Sequence, residues 1–129
     1  MGTMARARLA LAALLLAVSG LFILGTPAPA QAHDAYSNGC SYSPDSGYVS
    51  GVYFNFHSAC DRHDHCYHYH YYGGGYYGRL ACDHRFLSDM RSWCYNHYSH
   101  WYQVGPRYVC YGLAQTYYTA VRTFGGAFF

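Results

Sequence analysis

The 129-residue chain contains no lysine and no glutamate. Every fixed cation is therefore an arginine, and every acidic side chain is an aspartate. Two of the arginines, Arg6 and Arg8, lie at the extreme N-terminus, and beyond them six arginines face six aspartates. With the histidines neutral, that part of the chain is close to zero net charge. It has no basic stripe of the sort nucleic acid requires, which excludes that class of partner. No segment alternates convincingly between polar and apolar residues as a strand does. No serine stands in a recognisable nucleophile context, and there is no longer internal repeat.

The one long apolar run, Leu9 to Gly25, is interrupted by Ser19-Gly20 and follows the positive Arg6 and Arg8. Pro27-Ala28-Pro29 and the small-x-small site Ala30-Gln31-Ala32 come next. Residues 1–32 read as a signal peptide, because an uncleaved anchor helix does not explain the cleavage site. What is left, 33–129, is one small domain, too short for a generous core without staples. The staples are present. Cys40, Cys60, Cys66, Cys82, Cys94 and Cys110 all fall in this part, an even number in an exported chain. Three disulfides are expected, among fifteen possible connectivities. Oxidising export disfavours the rival reading, a Cys/His metal cluster. The 17 tyrosines and 9 histidines are in excess. Tyrosine has an apolar body and a polar tip, which suits a lipid–water boundary or a sticky extracellular surface.

Turn residues punctuate 33–51, which reads as loop. From Tyr53 the pattern turns helical: Phe56, Ala59, Cys60, His63, Cys66, Tyr67 and His70 recur at steps of three and four. Gly73-Gly74-Gly75 stops this helix. A second helix starts near Tyr77 to Leu80 and carries Asp83, Leu87, Met90 and Cys94 inward, with Phe86 and Trp93 widening the stripe. Tyr95 to Arg107, with Gly105-Pro106, reads as a connection. A third helix runs from about Tyr108 to Phe124, with Val109, Leu113, Tyr117, Val121 and Phe124 on one face and Gly125-Gly126 at its end. The stretch 65–77 is low in complexity, dominated by histidine, tyrosine and glycine. The fold class is all-α: a small disulfide-stapled domain of two antiparallel helices, a C-terminal helix and an N-terminal loop.

Two titratable residues sit on inward stripes, His63 on the first helix and Asp83 on the second. A buried carboxylate needs a partner. In an antiparallel hairpin the two meet, and Cys66 and Cys82 fall at matching heights, where a bridge would lock that register. Asp83 would accept a hydrogen bond from one imidazole nitrogen and leave the other free to activate water. A purely structural His–Asp pair has the same spacing. Asp64 is rotated about 100° from His63 and lies one turn beyond Cys60. If Cys40 pairs with Cys60, the loop Asn38-Gly39-Cys40 is held beside that turn, and its carbonyls converge with Asp64 as a hard-cation site favouring calcium.

Cys60-x-Arg62-His63-Asp64-x-Cys66-Tyr67 resembles the active-site helix of secreted, calcium-dependent phospholipases A2, closest to their small prokaryotic and fungal branch. Asn38-Gly39-Cys40-Ser41-x-Ser43-Pro44-Asp45 is similar to that branch's calcium loop. Asp83-x-x-Phe86-x-x-Asp89-Met90 and Ala114-x-x-Tyr117-Tyr118-x-x-Val121-Arg122-x-Phe124-Gly125 are similar to its later helices. The resemblance covers most of 38–125. It implies a secreted, monomeric enzyme hydrolysing the sn-2 ester of glycerophospholipids at a membrane or micelle interface. His63 would be the general base, Asp83 its orienting partner, and Asn38, Gly39 and Asp64 the calcium ligands. It also implies the pairs Cys40–Cys60 and Cys94–Cys110, leaving Cys66–Cys82.

The chain departs from the branch in three places. Asn38 stands where an acidic ligand is usual, and losing one charge weakens calcium affinity, which Asp45 would offset if it turned inward. The stretch before the loop is short, which leaves one wall of the acyl channel in question. His68-Tyr69-His70-Tyr71-Tyr72 replaces the usual sequence after the active-site tyrosine. Two other function classes follow from these features. One is a secreted binding or toxin-like module that kept the scaffold but works weakly or not at all. The other is a histidine-rich protein sequestering zinc or copper through His63-x-His65 and His68-x-His70. Residues two apart on a helix face away from each other, so those pairs chelate poorly.

Overall fold

A computed structural model describes residues 39–40 and 43–129. Residues 1–32, expected to be a signal peptide, and Asn38 lie outside the described residues. Two short strands, β1 (Ser46–Val49) and β2 (Val52–Asn55), pair antiparallel with Tyr48 opposite Tyr53 and Val49 opposite Val52. Three helices follow: α1 (His57–Tyr69), α2 (Gly75–His97) and α3 (Val104–Phe124). A 3-10 turn, Trp101–Gln103, leads into α3, and another, Gly125–Phe128, follows it.

The domain is mostly helical, as expected, but the hairpin corrects the reading of 33–51 as loop. Its turn residues Ser50 and Gly51 both have positive φ, 48° and 75°. This is the twist a two-residue hairpin turn requires. The hairpin also delays the first helix. Tyr53, Phe54 and Asn55 pair with β1, so α1 begins only at His57, whose backbone N–H donates to Asn55 Oδ1 at 3.0 Å. Phe54 and Phe56 are both buried, and their rings pack 5.2 Å apart.

The later boundaries also move. α2 runs on to His97, past the connection expected from Tyr95. α3 starts at Val104, so Gly105-Pro106 lies inside its first turn. Proline loses nothing there, because the first N–H groups of a helix have no intrahelical acceptor. The buried side of α3 is Cys110, Ala114 and Tyr117, while Val109 and Phe124 are exposed. The expected face was therefore rotated by about one residue at its start. Cys110 must meet Cys94 of α2, and that bond fixes which side of α3 faces in.

One bridge ties the first loop to the first helix, and one joins each consecutive pair of helices. Cys40–Cys60 ties the first loop to α1, Cys66–Cys82 ties α1 to α2, and Cys94–Cys110 ties α2 to α3, with Cα atoms 5.1, 5.7 and 5.7 Å apart. The main core collects around Phe56, Phe86, Met90, Ala114 and Tyr117. Gly78 allows the α1–α2 turn to close, since a Cβ there would lie 1.8 Å from the Gly73 carbonyl oxygen.

Candidate active site

α1 and α2 bring His63 and Asp83 together, both buried. His63 Nε2 lies 2.7 Å from Asp83 Oδ1. A carboxylate only accepts, so Nε2 carries the proton and Nδ1 is left as the basic nitrogen. The imidazole is clasped by two rings, Tyr67 at 4.2 Å and Phe86 at 4.6 Å between centroids. Helical spacing explains the first contact, because Tyr67 stands four residues after His63 on the same face.

Asp83 has no exposed surface and takes more partners than histidine alone. Tyr67 Oη donates to Oδ1 at 2.6 Å, and Arg122 Nη1 of α3 donates to Oδ2 at 2.7 Å. Burial pushes the carboxyl up, yet the hydrogen bonds from His63, Tyr67 and Arg122 outweigh it and hold Asp83 below the usual carboxylate range. Burial, reinforced by the bond to Asp83, pushes the Tyr67 phenol well above its ordinary value. Tyr67 thus remains a proton donor throughout the neutral range.

His63 opens onto a cavity of about 550 Å³. Gly39, Cys40 and Ser43 of the first loop line it, with Cys60, His63, Asp64 and Tyr67 of α1 and Phe86 of α2. Tyr117, Ala120, Val121 and Phe124 of α3 form the facing wall, continued by Gly125 and Phe128. The lining is predominantly apolar with a few polar groups, the composition of a small-molecule site. The end of α3 and the turn after it form this side of the cavity.

Gly39 and Asp64 share this cavity, and the Cys40–Cys60 bond holds the loop to α1. Asp45 has a different place from the one expected of a spare metal ligand. Its Oδ1 accepts from the Cys40 backbone N–H at 2.8 Å and its Oδ2 lies 3.1 Å from His57 Nδ1. His57 Nε2 in turn lies 3.3 Å from Asp61 Oδ2. Asp45 therefore braces the loop against the start of α1. Tyr117 adds a second brace, donating its hydroxyl to the Pro44 carbonyl at 2.7 Å.

Among the described residues, no three histidine, cysteine or acidic side chains converge on a metal-sized point. That includes His63, His65, His68 and His70, on which the zinc or copper reading depended. A calcium site of the kind described above asks for a different donor set, one carboxylate and several backbone oxygens. Asp64 and Gly39 are of that type. A second, more open hollow of about 510 Å³ lies along the outer face of α2, lined by His84, Leu87, Ser88, Arg91, Ser92, Tyr95 and Asn96. It holds none of the expected site residues.

The model of one protein family, prokaryotic phospholipase A2, matches residues 26–125. The chain belongs to that family. No curated protein and no solved structure matches it. A phospholipase A2 is an ester hydrolase acting on lipid, and the apolar cavity beside His63 is in keeping with such a substrate.

The sequence placed Tyr67 only within the resembling motif, and it did not single out Arg79 or Arg122 as site residues. One signal pointed to them. A carboxylate on an inward stripe needs several donors, and without lysine only arginine can supply the charge. Arg79 lies four residues before Asp83, on the same helical face.

Proposed function

We propose that the chain is a secreted, calcium-dependent phospholipase A2 that cleaves the sn-2 acyl ester of glycerophospholipids. The observation that carries this reading is the buried 2.7 Å contact between His63 Nε2 and Asp83 Oδ1, with His63 lining a largely apolar cavity. Asp83 fixes the imidazole tautomer, and His63 Nδ1 accepts a proton from water as its oxygen attacks the ester carbonyl. The same proton then passes to the departing lysophospholipid alkoxide, and the acyl group leaves as a fatty acid. Tyr67 and Phe86 hold the ring against rotation. The apolar walls from α3 and Phe128 take the acyl chain and exclude bulk water.

Asp64, Gly39 and Asn38 are the residues that would hold calcium, which supplies charge to polarise the ester carbonyl and stabilise the oxyanion. Export follows from the leader, and agrees with three disulfides in so small a domain. Among the described residues, no helix is long and apolar enough to cross a membrane. Glycerophospholipids gather in bilayers and micelles, so the enzyme would meet its substrate at a lipid surface.

A liposome assay tests the reading. Fatty acid release is expected to require calcium, to stop with chelator, and to fall by on the order of 10³-fold or more in His63→Gln, as for removal of an essential base. Release that is unaffected by that substitution removes His63 from its role.

A further inference from the structure

His63 does not by itself account for the environment of Asp83. The second carboxylate oxygen, Oδ2, is taken by Arg122 at 2.7 Å, with Arg79 Nε 3.9 Å away. Arg79 makes three further bonds in two directions. Its Nε donates to Tyr67 Oη at 3.2 Å, and its Nη2 donates to the carbonyls of Val121 and Arg122 at 2.7 and 2.8 Å. Those carbonyls belong to the last turn of α3, where helices leave acceptors over. The chain is packed closely there. A Cβ on Gly125 would stand 3.0 Å from Tyr67 Oη, and one on Gly126 would stand 3.2 Å from Arg79 Nη1. Val121, Phe124 and Gly125 of the cavity wall hang on this same end of α3.

Resting on the reading of His63 as the base, we propose that Arg122 and Arg79 are positioning residues that hold the catalytic pair and the substrate wall in one register. Arg122 anchors Oδ2, so the carboxylate cannot swing about its own bond and Oδ1 stays aimed at His63. Arg79 fixes the Tyr67 hydroxyl on Asp83 and pins the end of α3 to α1. Neither guanidinium touches the reacting atoms. Their geometries differ in a testable way. Arg122 uses one nitrogen on Asp83, which an ammonium can imitate. Arg79 uses a planar fork pointing two ways, which an ammonium cannot.

Steady-state hydrolysis by the full chain with calcium reads the difference, using a short-chain monomeric phospholipid and vesicles. Arg122→Gln is expected to lower kcat by on the order of 10–100-fold, with KM changed by less than about threefold, as for a misaligned catalytic group. Arg122→Lys should recover most of that loss. Arg79→Gln and Arg79→Lys should both stay impaired, and both should raise KM, because the wall moves with the tyrosine. Arg85→Gln, an exposed member of α2 paired with Asp89, serves as the unchanged control. Wild-type kcat in Arg122→Gln, or wild-type kinetics in Arg79→Lys, overturns the proposal. Proton NMR of the His63 Nε2–H gives a readout without turnover. The resonance should be protected in the wild type and Arg122→Lys, and lost to exchange in Arg122→Gln with helix content intact. Persistence unchanged in Arg122→Gln rejects the positioning role even if His63→Gln keeps activity, a separate result that would reject only the base.

Discussion

Burial pushes the Asp83 carboxyl up, and the donors His63, Tyr67 and Arg122 more than reverse that, leaving it below the ordinary carboxylate range. A group with a depressed native pKa contributes stability above its unfolded value, about 3.9, and loses that contribution as pH falls towards and through the native value. The wild type should therefore lose stability steeply below about pH 4. In Asp83→Asn the picture inverts. At neutral pH the variant should be weaker by about 1–3 kcal/mol, because the partly exposed Arg122 loses its counter-charge and a hydrogen bond to a charged group. Below pH 4 its urea midpoint should fall less than that of the wild type, since the group responsible is gone. Midpoints that fall in parallel for the two proteins would show that Asp83 is not the acid-sensitive residue.

Among the elements, α1 was the most legible, because five of its residues, Ala59, Cys60, His63, Cys66 and Tyr67, mark one buried face at helical spacing and two of them are cysteines. The His63–Asp83 meeting was legible for the same reason, as two polar residues on inward stripes of neighbouring helices. The hairpin was not. Each strand has four residues, too few for alternation to stand out, and Ser50-Gly51 between them looks like any loop. The expected face of α3 holds at Leu113, Tyr117 and Val121, but the bond from Cys110 to Cys94 turns Val109 outward, and Phe124 is exposed at the cavity wall. Arg79 and Arg122 were missed because a charge on a helix ordinarily faces water, and only the needs of Asp83 bring these two in. The hairpin is tied to the helices, since the Tyr98 hydroxyl donates to the Tyr53 carbonyl at 2.6 Å and joins it to the end of α2. Gly51, at φ 75°, holds its turn in a conformation that a β-branched residue resists. Gly51→Val should cost about 1–2 kcal/mol, read as a lower urea midpoint with unchanged slope. An unchanged midpoint would mean that the hairpin adds nothing to stability.

Across the whole molecule the three disulfides divide into two kinds. Cys66–Cys82 and Cys94–Cys110 join helix to helix, where packing already fixes the register, whereas Cys40–Cys60 joins a loop to a helix. The sequence separations are similar, 20 residues for the first bridge and 16 for the third. Loop entropy therefore gives each a stabilisation of about 3 kcal/mol, and stability alone does not tell them apart. Their expected functional effects do differ. Gly39 and Asp64 reach one cavity only while the loop stays against α1, and the Asp45–His57 brace replaces the covalent tether in part. Removing Cys40 and Cys60 together, as alanines, should raise the calcium concentration for half-maximal hydrolysis by about tenfold or more, the usual cost of loosening the supports of a metal ligand. Removing Cys94 and Cys110 together should cost the same stability and leave that concentration unchanged, because α2 and α3 carry no metal ligand. Calcium titrations of activity, at a temperature where circular dichroism shows both variants folded, make the comparison. Equal calcium requirements in the two variants would dissociate the Cys40 loop from metal binding, and with it the role given to Gly39.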